Sequence, residues 1–249
     1  MRWSKMRLFI WKRQRGRQVK KIGILCAGDT ELEPFLPHIE NRTVIRKAML
    51  SCYDGKICGI PVTALYSGVC KVNAAIAAQV LIDFFQVDAI INAGTAGGMD
   101  ERLQVFDTVI STQACYHDVE KEILTEFHPW MPQPYFPADS GLLELARRAA
   151  RGKKGIYFGT MATGETFIEG DLRHEIQKKY MPLSVDMETA SIAHVCYVNH
   201  VPFLAIRTVT DTAAQPGGET FEKNCMQASV RSKEITLDLF REIKQTDRQ

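Results

Sequence analysis

Residues 184–196 read SVDMETASIAHVC, with two carboxylates, Asp186 and Glu188, around one methionine and a run behind them that is small or apolar apart from His194. Leu183–Val185 reads as a short strand and Glu188–Asn199 as a helix apolar on all sides, the pattern of a buried helix. An unpaired carboxylate in such surroundings is costly. At a hand-over from strand to helix, two residues apart in extended chain, both acids point the same way.

The same hand-over recurs along the chain. Ile22–Ala27 is a short apolar run followed by Gly28-Asp29-Thr30 and a short helix, Glu31–Ile39, that tolerates Pro34 in its first turn. Ala89–Ala93 is a buried strand running into Gly94-Thr95-Ala96-Gly97-Gly98, and Phe203–Thr210 is a strand ending at Asp211. Val72–Phe85, Ser140–Arg151, Leu172–Tyr180 and Glu219 to about Lys244 read as helices, and Asp107–Ser111 and Gly155–Thr160 as further strands. Residues 43–67 read as a β-meander with Asp54-Gly55 as its hairpin turn. Residues 118–138, rich in proline and aromatics and without periodicity, read as a long loop of the kind that is often functional. The alternation predicts a single α/β domain over residues 20–245: a twisted mixed central sheet, open and largely parallel, flanked by helices on both faces.

In an open α/β sheet, ligands bind outside the carboxyl ends of the strands. Here those ends carry Asp29 and Glu31, Thr95 with its glycines, Asp186 and Glu188, and Thr210 with Asp211. Taken singly, each acid fits a structural role: Glu31 and Glu188 at the positive end of a helix, worth about 0.3–1 kcal/mol, and Asp211 as a cap. Three acids at corresponding strand ends point instead to one shared crevice. The glycines at 94–98 are not the dinucleotide fingerprint, which needs G-x-G-x-x-G between strand and helix; a tight turn and close approach to a ligand fit them equally. His194 reads as a core histidine, and His117 and His194 lack metal-ligand spacing. No G-x-S-x-G elbow occurs. Neither a metal nor an organic cofactor is expected.

The 249 residues carry a net charge of +2 that hides an asymmetry. Residues 1–21 hold nine Lys or Arg and no acid, leaving 22 basic against 29 acidic residues in the body. Residues 1–19 are expected to be a disordered, solvated extension rather than an arm for nucleic acid or an anionic membrane. Their apolar stretch, Leu8-Phe9-Ile10-Trp11, is short of the roughly 7–15 residues of a secretory signal. No apolar run approaches the roughly 18–20 residues of a membrane span. Seven cysteines, an odd number without a C-x-x-C pair, read as reduced thiols in a cytoplasmic protein.

LYSGVCKVNAA (65–75), INAGTAGG (91–98), TGETFIEG (163–170), VDMETASIAHVC (185–196) and RTVTD (207–211), in that order, resemble the nucleoside phosphorylase/hydrolase superfamily, and within it the 5′-methylthioadenosine/S-adenosylhomocysteine nucleosidases. The likeness runs from about Lys20 to about Arg241. It implies a nucleoside phosphorylase-like fold and hydrolysis of an adenine–ribose N-glycosidic bond. By resemblance Asp211 is the acid that protonates the purine at N7, Glu31 the base that activates water, and Glu188 the acceptor of ribose hydroxyls. Phe167 is implied to stack on the purine and Ile168 to read its edge through backbone groups. Val69 and Phe221 are implied to line the 5′ pocket, Met187 to pack on the sugar, and Ala27, Thr95, Arg207 and Thr210 to surround the water and sugar; ordinary core packing is the plain alternative for Val69, Phe167 and Ile168. The implied partners are a purine nucleoside and a second subunit reaching into the 5′ pocket of a homodimer, with no nucleic acid and no membrane.

Three positions depart from the family. Cys70 stands where glycine is usual, and Asp186 where glutamate is usual, in a supporting role. The stretch after Tyr116-His117-Asp118 lacks the family's glycines and offers Phe127 and Trp130 as aromatic candidates. The competing readings are a phosphorylase of the same superfamily, a nucleosidase for an aminodeoxyfutalosine-type nucleoside, and a non-catalytic nucleoside sensor. Phosphorolysis needs an arginine-rich phosphate site, and AGDTELEP (27–34) has no arginine. The complete Glu31, Glu188 and Asp211 set argues against a sensor.

Overall fold

The computed structural model describes residues 20–127 and 131–246. The basic arm and Trp130 lie outside the described residues. The chain runs through β1 (Ile22–Cys26), a single helical turn α1 (Asp29–Leu32), a 3₁₀ stretch (Glu33–His38), β2 (Glu40–Lys47), β3 (Leu50–Ile57), β4 (Ile60–Tyr66), α2 (Lys71–Asp83) and β5 (Ala89–Gly98). It continues through β6 (Thr108–Tyr116), α3 (Lys121–Glu126), β7 (Phe136–Pro137), α4 (Ser140–Ala149), β8 (Ile156–Thr163), α5 (Gly170–Tyr180), β9 (Ser184–Asp186), α6 (Thr189–Asn199), β10 (Phe203–Asp211) and α7 (Gly218–Thr246).

The sheet is mixed and twisted, but it is neither open nor largely parallel. β5 pairs with β10, β10 with β6, β6 with β8, β8 with β9, and β9 returns to β5, so five strands close on themselves. β1, β4, β3 and β2 extend from β5 as a wing. Parallel and antiparallel pairings are equal in number among the described residues. Closure rests on pairings between distant segments, which no local pattern encodes.

Strand residues alternate between two cores, as the period of two requires. Leu25, Ile90 and Ala205 pack with Ala74, Ala78, Leu81, Ile192 and Ala193 of α2 and α6. Ile24, Ile91, Leu204 and Ile206 pack with Leu142 and Ala146 of α4 and with Ile235, Leu239 and Phe240 of α7. Helices therefore cover both faces. No helix of the described residues is long and apolar enough to cross a membrane.

Four local readings are corrected. Asp54-Gly55 lies inside β3; the hairpin turns are Ala48-Met49 and Cys58-Gly59, with φ of 49°, 64°, 53° and 79°, the left-handed pairs that two-residue hairpins require. Gly55 serves close approach instead, since a Cβ there would stand 2.6 Å from the Glu40 carbonyl. The helix expected at Glu31–Ile39 is one turn beginning at Asp29 and then a 3₁₀ stretch, as Pro34 and Pro37 withhold two amides. Gly94–Gly98 is no turn but the end of β5. The long loop at 118–138 contains α3 and β7.

Candidate active site

β1 pairs with β5 as far as Asn92, and β9 takes the pairing up at Gly97. Between them the strands part, and a side chain takes the backbone amide on that edge: Glu31 Oε1 accepts from Thr95 N at 2.7 Å, while on the opposite edge Ser232 Oγ accepts from Gly94 N at 3.0 Å and donates to Ile206 O of β10. The Thr95 hydroxyl donates to the same Glu31 oxygen at 2.8 Å. Glu31 Oε2 accepts from Ala27 N at 2.7 Å and Gly28 N at 3.3 Å. Gly94 makes room for this carboxylate, because a Cβ there would lie 2.4 Å from Glu31 Oε1. Gly94→Ala should therefore displace Glu31 and destabilise the fold by about 1–3 kcal/mol, lowering Tm by roughly 2–12 °C; thermal melts beside turnover assays check this.

Arg207, in the middle of β10, is 1% exposed. Three carboxylates surround it: Glu188 Oε2 accepts from Nη2 at 2.8 Å, Asp186 Oδ2 approaches Nε to 3.3 Å, and Glu31 Oε2 lies 3.8 Å from Nη1. Burial alone would favour loss of its proton, but Asp186, Glu31 and Glu188 together hold the guanidinium charged. Arg207 is thus the partner that lets carboxylates sit at the head of the buried helix α6.

Glu188 is the N-cap of α6, and its Oε1 also accepts from Cys70 N at 3.0 Å. Burial pushes its carboxyl up to about 7; Arg207 opposes this, and Asp186 and Glu31 add to it. Cys70 presents that amide from φ 81°, ψ 162°, a conformation that costs a non-glycine residue about 1–3 kcal/mol.

Asp211 ends β10 and is 3% exposed. The Thr210 hydroxyl donates to its Oδ1 at 2.8 Å. A Cβ on Gly97 would stand 3.2 Å from Oδ2, so glycine again leaves room for an acid. Burial raises the Asp211 carboxyl above its ordinary value, against the Thr210 hydrogen bond and the charge of Arg173 on α5. Arg173 Nη2 donates to the Gly98 carbonyl.

All three acids and all nine binding residues singled out in the sequence line one cavity of about 450 Å³. Phe167 and Val69 are 45% and 52% exposed, so neither is core, whereas Ile168 is buried. Phe167 and Phe221 meet edge to face across 6.3 Å. His194 stacks on Phe136 at 4.7 Å, outside the cavity. Phe127 is exposed and does not line it. Asp29, read at the same strand end, also lines it; sequence reasoning missed Thr30, Thr166, Glu222 and Cys225 in its lining, and Ser232 and Arg173, which hold β5. A serine or an arginine on a helix carries no local signal of such a contact.

The family model of the phosphorylase superfamily matches residues 21–241. A 5′-methylthioadenosine/S-adenosylhomocysteine nucleosidase of Bacillus velezensis is 38% identical over 233 residues, covering 90% of this chain and 99% of that relative. Among solved structures, the nucleosidase of the same name from S. pneumoniae, with the transition-state inhibitor MT-ImmA, superposes with a TM-score of 0.82 at 30% identity, covering 90% of this chain and 99% of that one. A futalosine hydrolase of Helicobacter pylori shares the fold, with a TM-score of 0.82 at 24% identity over 90% of this chain and 98% of that one.

Proposed function

As this chain belongs to the 5′-methylthioadenosine/S-adenosylhomocysteine nucleosidases of the phosphorylase superfamily, we propose that it hydrolyses the adenine–ribose N-glycosidic bond of 5′-methylthioadenosine, S-adenosylhomocysteine or a related 5′-substituted adenosine. One observation carries the reading. Glu31 and Asp211 stand over the same strand, the first at Gly94-Thr95 and the second at Gly97, roughly 7–10 Å apart at about 3.3 Å per residue. That span accommodates a water, an anomeric carbon and the edge of a purine between base and acid.

The chemistry follows from the charges. Adenine leaves poorly as an anion, so Asp211, whose carboxyl burial favours in the protonated form, delivers a proton to N7 as the bond stretches. Such an acid contributes about 10²–10⁴-fold. The ribose gathers positive charge, and Glu31, Glu188 and Asp186 outweigh the single charge of Arg207 beside it. Glu31 takes the proton of the attacking water, next to Thr95 and Ala27. Glu188 accepts from the ribose hydroxyls, with Met187 against the sugar. Phe167 stacks on the base, Ile168 presents backbone groups to its edge, and Val69 and Phe221 face the 5′ substituent.

Glu188 accepts hydrogen bonds fully only when ionised, and burial pushes its carboxyl up to about 7. Below that pH it is neutral, so kcat/KM should fall as pH drops through about 7. Glu188→Gln should be slower and lack this acid limb; a pH–rate series on both proteins checks it.

Val69, which lines the cavity, is exposed, as are Val72 and Ile76, one turn apart on α2. This supports a homodimer in which a second subunit covers these residues and closes the 5′ end of the cavity. Seven free thiols among the described residues support a cytoplasmic location.

Phosphorolysis is the competing reaction. Among the described residues Arg207 is the one arginine or lysine lining the cavity, and its three carboxylates repel phosphate. Adenine release from 5′-methylthioadenosine, S-adenosylhomocysteine and adenosine, with and without phosphate, tests the proposal. Equal rates and a free sugar product are expected. A requirement for phosphate together with a sugar 1-phosphate product overturns it.

A further inference from the structure

We propose that Asp186 is a positioning residue for the reaction: it anchors the Nε edge of Arg207 and the turn that carries Glu188, and so aims the rest of the guanidinium at Glu188 and Glu31. The inference rests on the nucleosidase reading above and adds a residue to it.

Asp186 is the last residue of β9, buried, and both of its oxygens are engaged. Oδ1 accepts from the Thr163 hydroxyl at 2.7 Å, Glu188 N at 3.1 Å and Thr189 N at 3.0 Å. Oδ2 accepts from the Thr189 hydroxyl and faces Arg207 Nε at 3.3 Å. A helix cap needs only one side-chain oxygen, and serine, threonine or asparagine would supply it. The second oxygen, turned to the guanidinium, is what capping leaves unexplained.

Its consequence lies in the fork of Arg207. A guanidinium is planar, so fixing Nε and Nη2 fixes Nη1 as well. Nη2 is held by Glu188, while Nε and Nη1 are both buried without a hydrogen-bond partner in the described residues: Nε meets Asp186 through charge alone at 3.3 Å, and Nη1 lies 3.8 Å from Glu31. Without the carboxylate at 186, Glu31 and Glu188 alone would orient the fork, and the turn beginning at Glu188 would lose two amide contacts.

Asp186→Asn keeps the shape and a capping oxygen but removes the charge. The groups facing Glu188 are Arg207 from β10, Asp186 from β9, Glu31 from α1, and the Cys70 amide and thiol at the start of α2. With the others unchanged, loss of the Asp186 charge makes Glu188 easier to ionise. The variant should therefore fold, lose roughly 10–100-fold in kcat/KM, as loss of supporting contacts does at other tuned sites, and show its acid limb displaced to lower pH. Asp186→Glu should return the limb toward its wild-type position. A folded Asp186→Asn protein with wild-type kcat/KM and an unmoved limb would reduce Asp186 to a cap and overturn the proposal.

Should Asp186→Asn not fold, Thr163→Val keeps the charge and removes one of the three donors to Oδ1, together with the hydroxyl that accepts from Ala190 N. A several-fold lower kcat/KM with an unmoved limb is then expected, and unchanged kcat/KM overturns the proposal. The Glu188 titration, read by NMR on carboxyl-labelled glutamate without substrate, reports on Asp186 independently of turnover. Wild-type adenine release, measured alongside, reports on the nucleosidase reading itself: an inactive wild type with a displaced titration in Asp186→Asn sinks that reading and not the anchoring.

Discussion

Asp211→Asn is expected to lower kcat for adenine release about 10²–10⁴-fold while leaving Tm within a few degrees of wild type. The substitution keeps volume and shape above Gly97, and the Thr210 hydroxyl that donates to Oδ1 at 2.8 Å finds an oxygen in the same place. What disappears is the proton. The asparagine amide still donates a hydrogen bond toward N7 but cannot transfer hydrogen to it, so adenine must depart carrying its negative charge. The interaction lost belongs to the transition state, and KM should therefore change much less than kcat. Steady-state kinetics with 5′-methylthioadenosine, together with thermal melts, separate the two effects. Near-wild-type kcat would mean that the base leaves without help from position 211.

Glu31→Gln should have a comparable effect on kcat, about 10²–10⁴-fold, but with a visible cost in stability. Four donors converge on this carboxylate: Thr95 N and Oγ1 on one oxygen, Ala27 N and Gly28 N on the other. A glutamine satisfies one pair with its oxygen and sets its NH₂ against the other pair, donor against donor. A buried amide left unmatched costs about 1–3 kcal/mol, so a lower Tm accompanies the loss of the base. Substrate should still bind, as calorimetry can read, because sugar and purine are held mainly by other side chains. A cationic ribose mimic should bind wild type much more tightly than substrate, as transition-state analogues do. Retained turnover in Glu31→Gln would remove this residue from the mechanism.

Local signals carried the element order well, because apolar periodicity is a property of neighbouring residues. The strand at 203–211 and the buried helix behind Glu188 were legible for that reason. Asp54-Gly55 misled because the same dipeptide that suits a tight turn also suits a strand pressed against another backbone, and only the Glu40 carbonyl distinguishes the two. Closure of the sheet was invisible, since β5 and β10 lie more than 100 residues apart in sequence. The acids at strand ends could be read as converging, but the cation that makes their convergence affordable could not. Arg207 sits in an apolar strand pattern, and nothing local announces that three carboxylates from two distant segments meet on its fork.

Where β1 leaves β5 and β9 has not yet arrived, the ladder lacks a rung, and the carboxylate of Glu31, the proposed base, occupies the vacancy. Sheet formation and the proposed chemistry thus draw on the same amide. Lengthening β1 by even a residue or two would let ordinary cross-strand pairing compete for Thr95, and a perfectly regular sheet would be a worse enzyme. The proposed chemistry depends on that one gap in the weave.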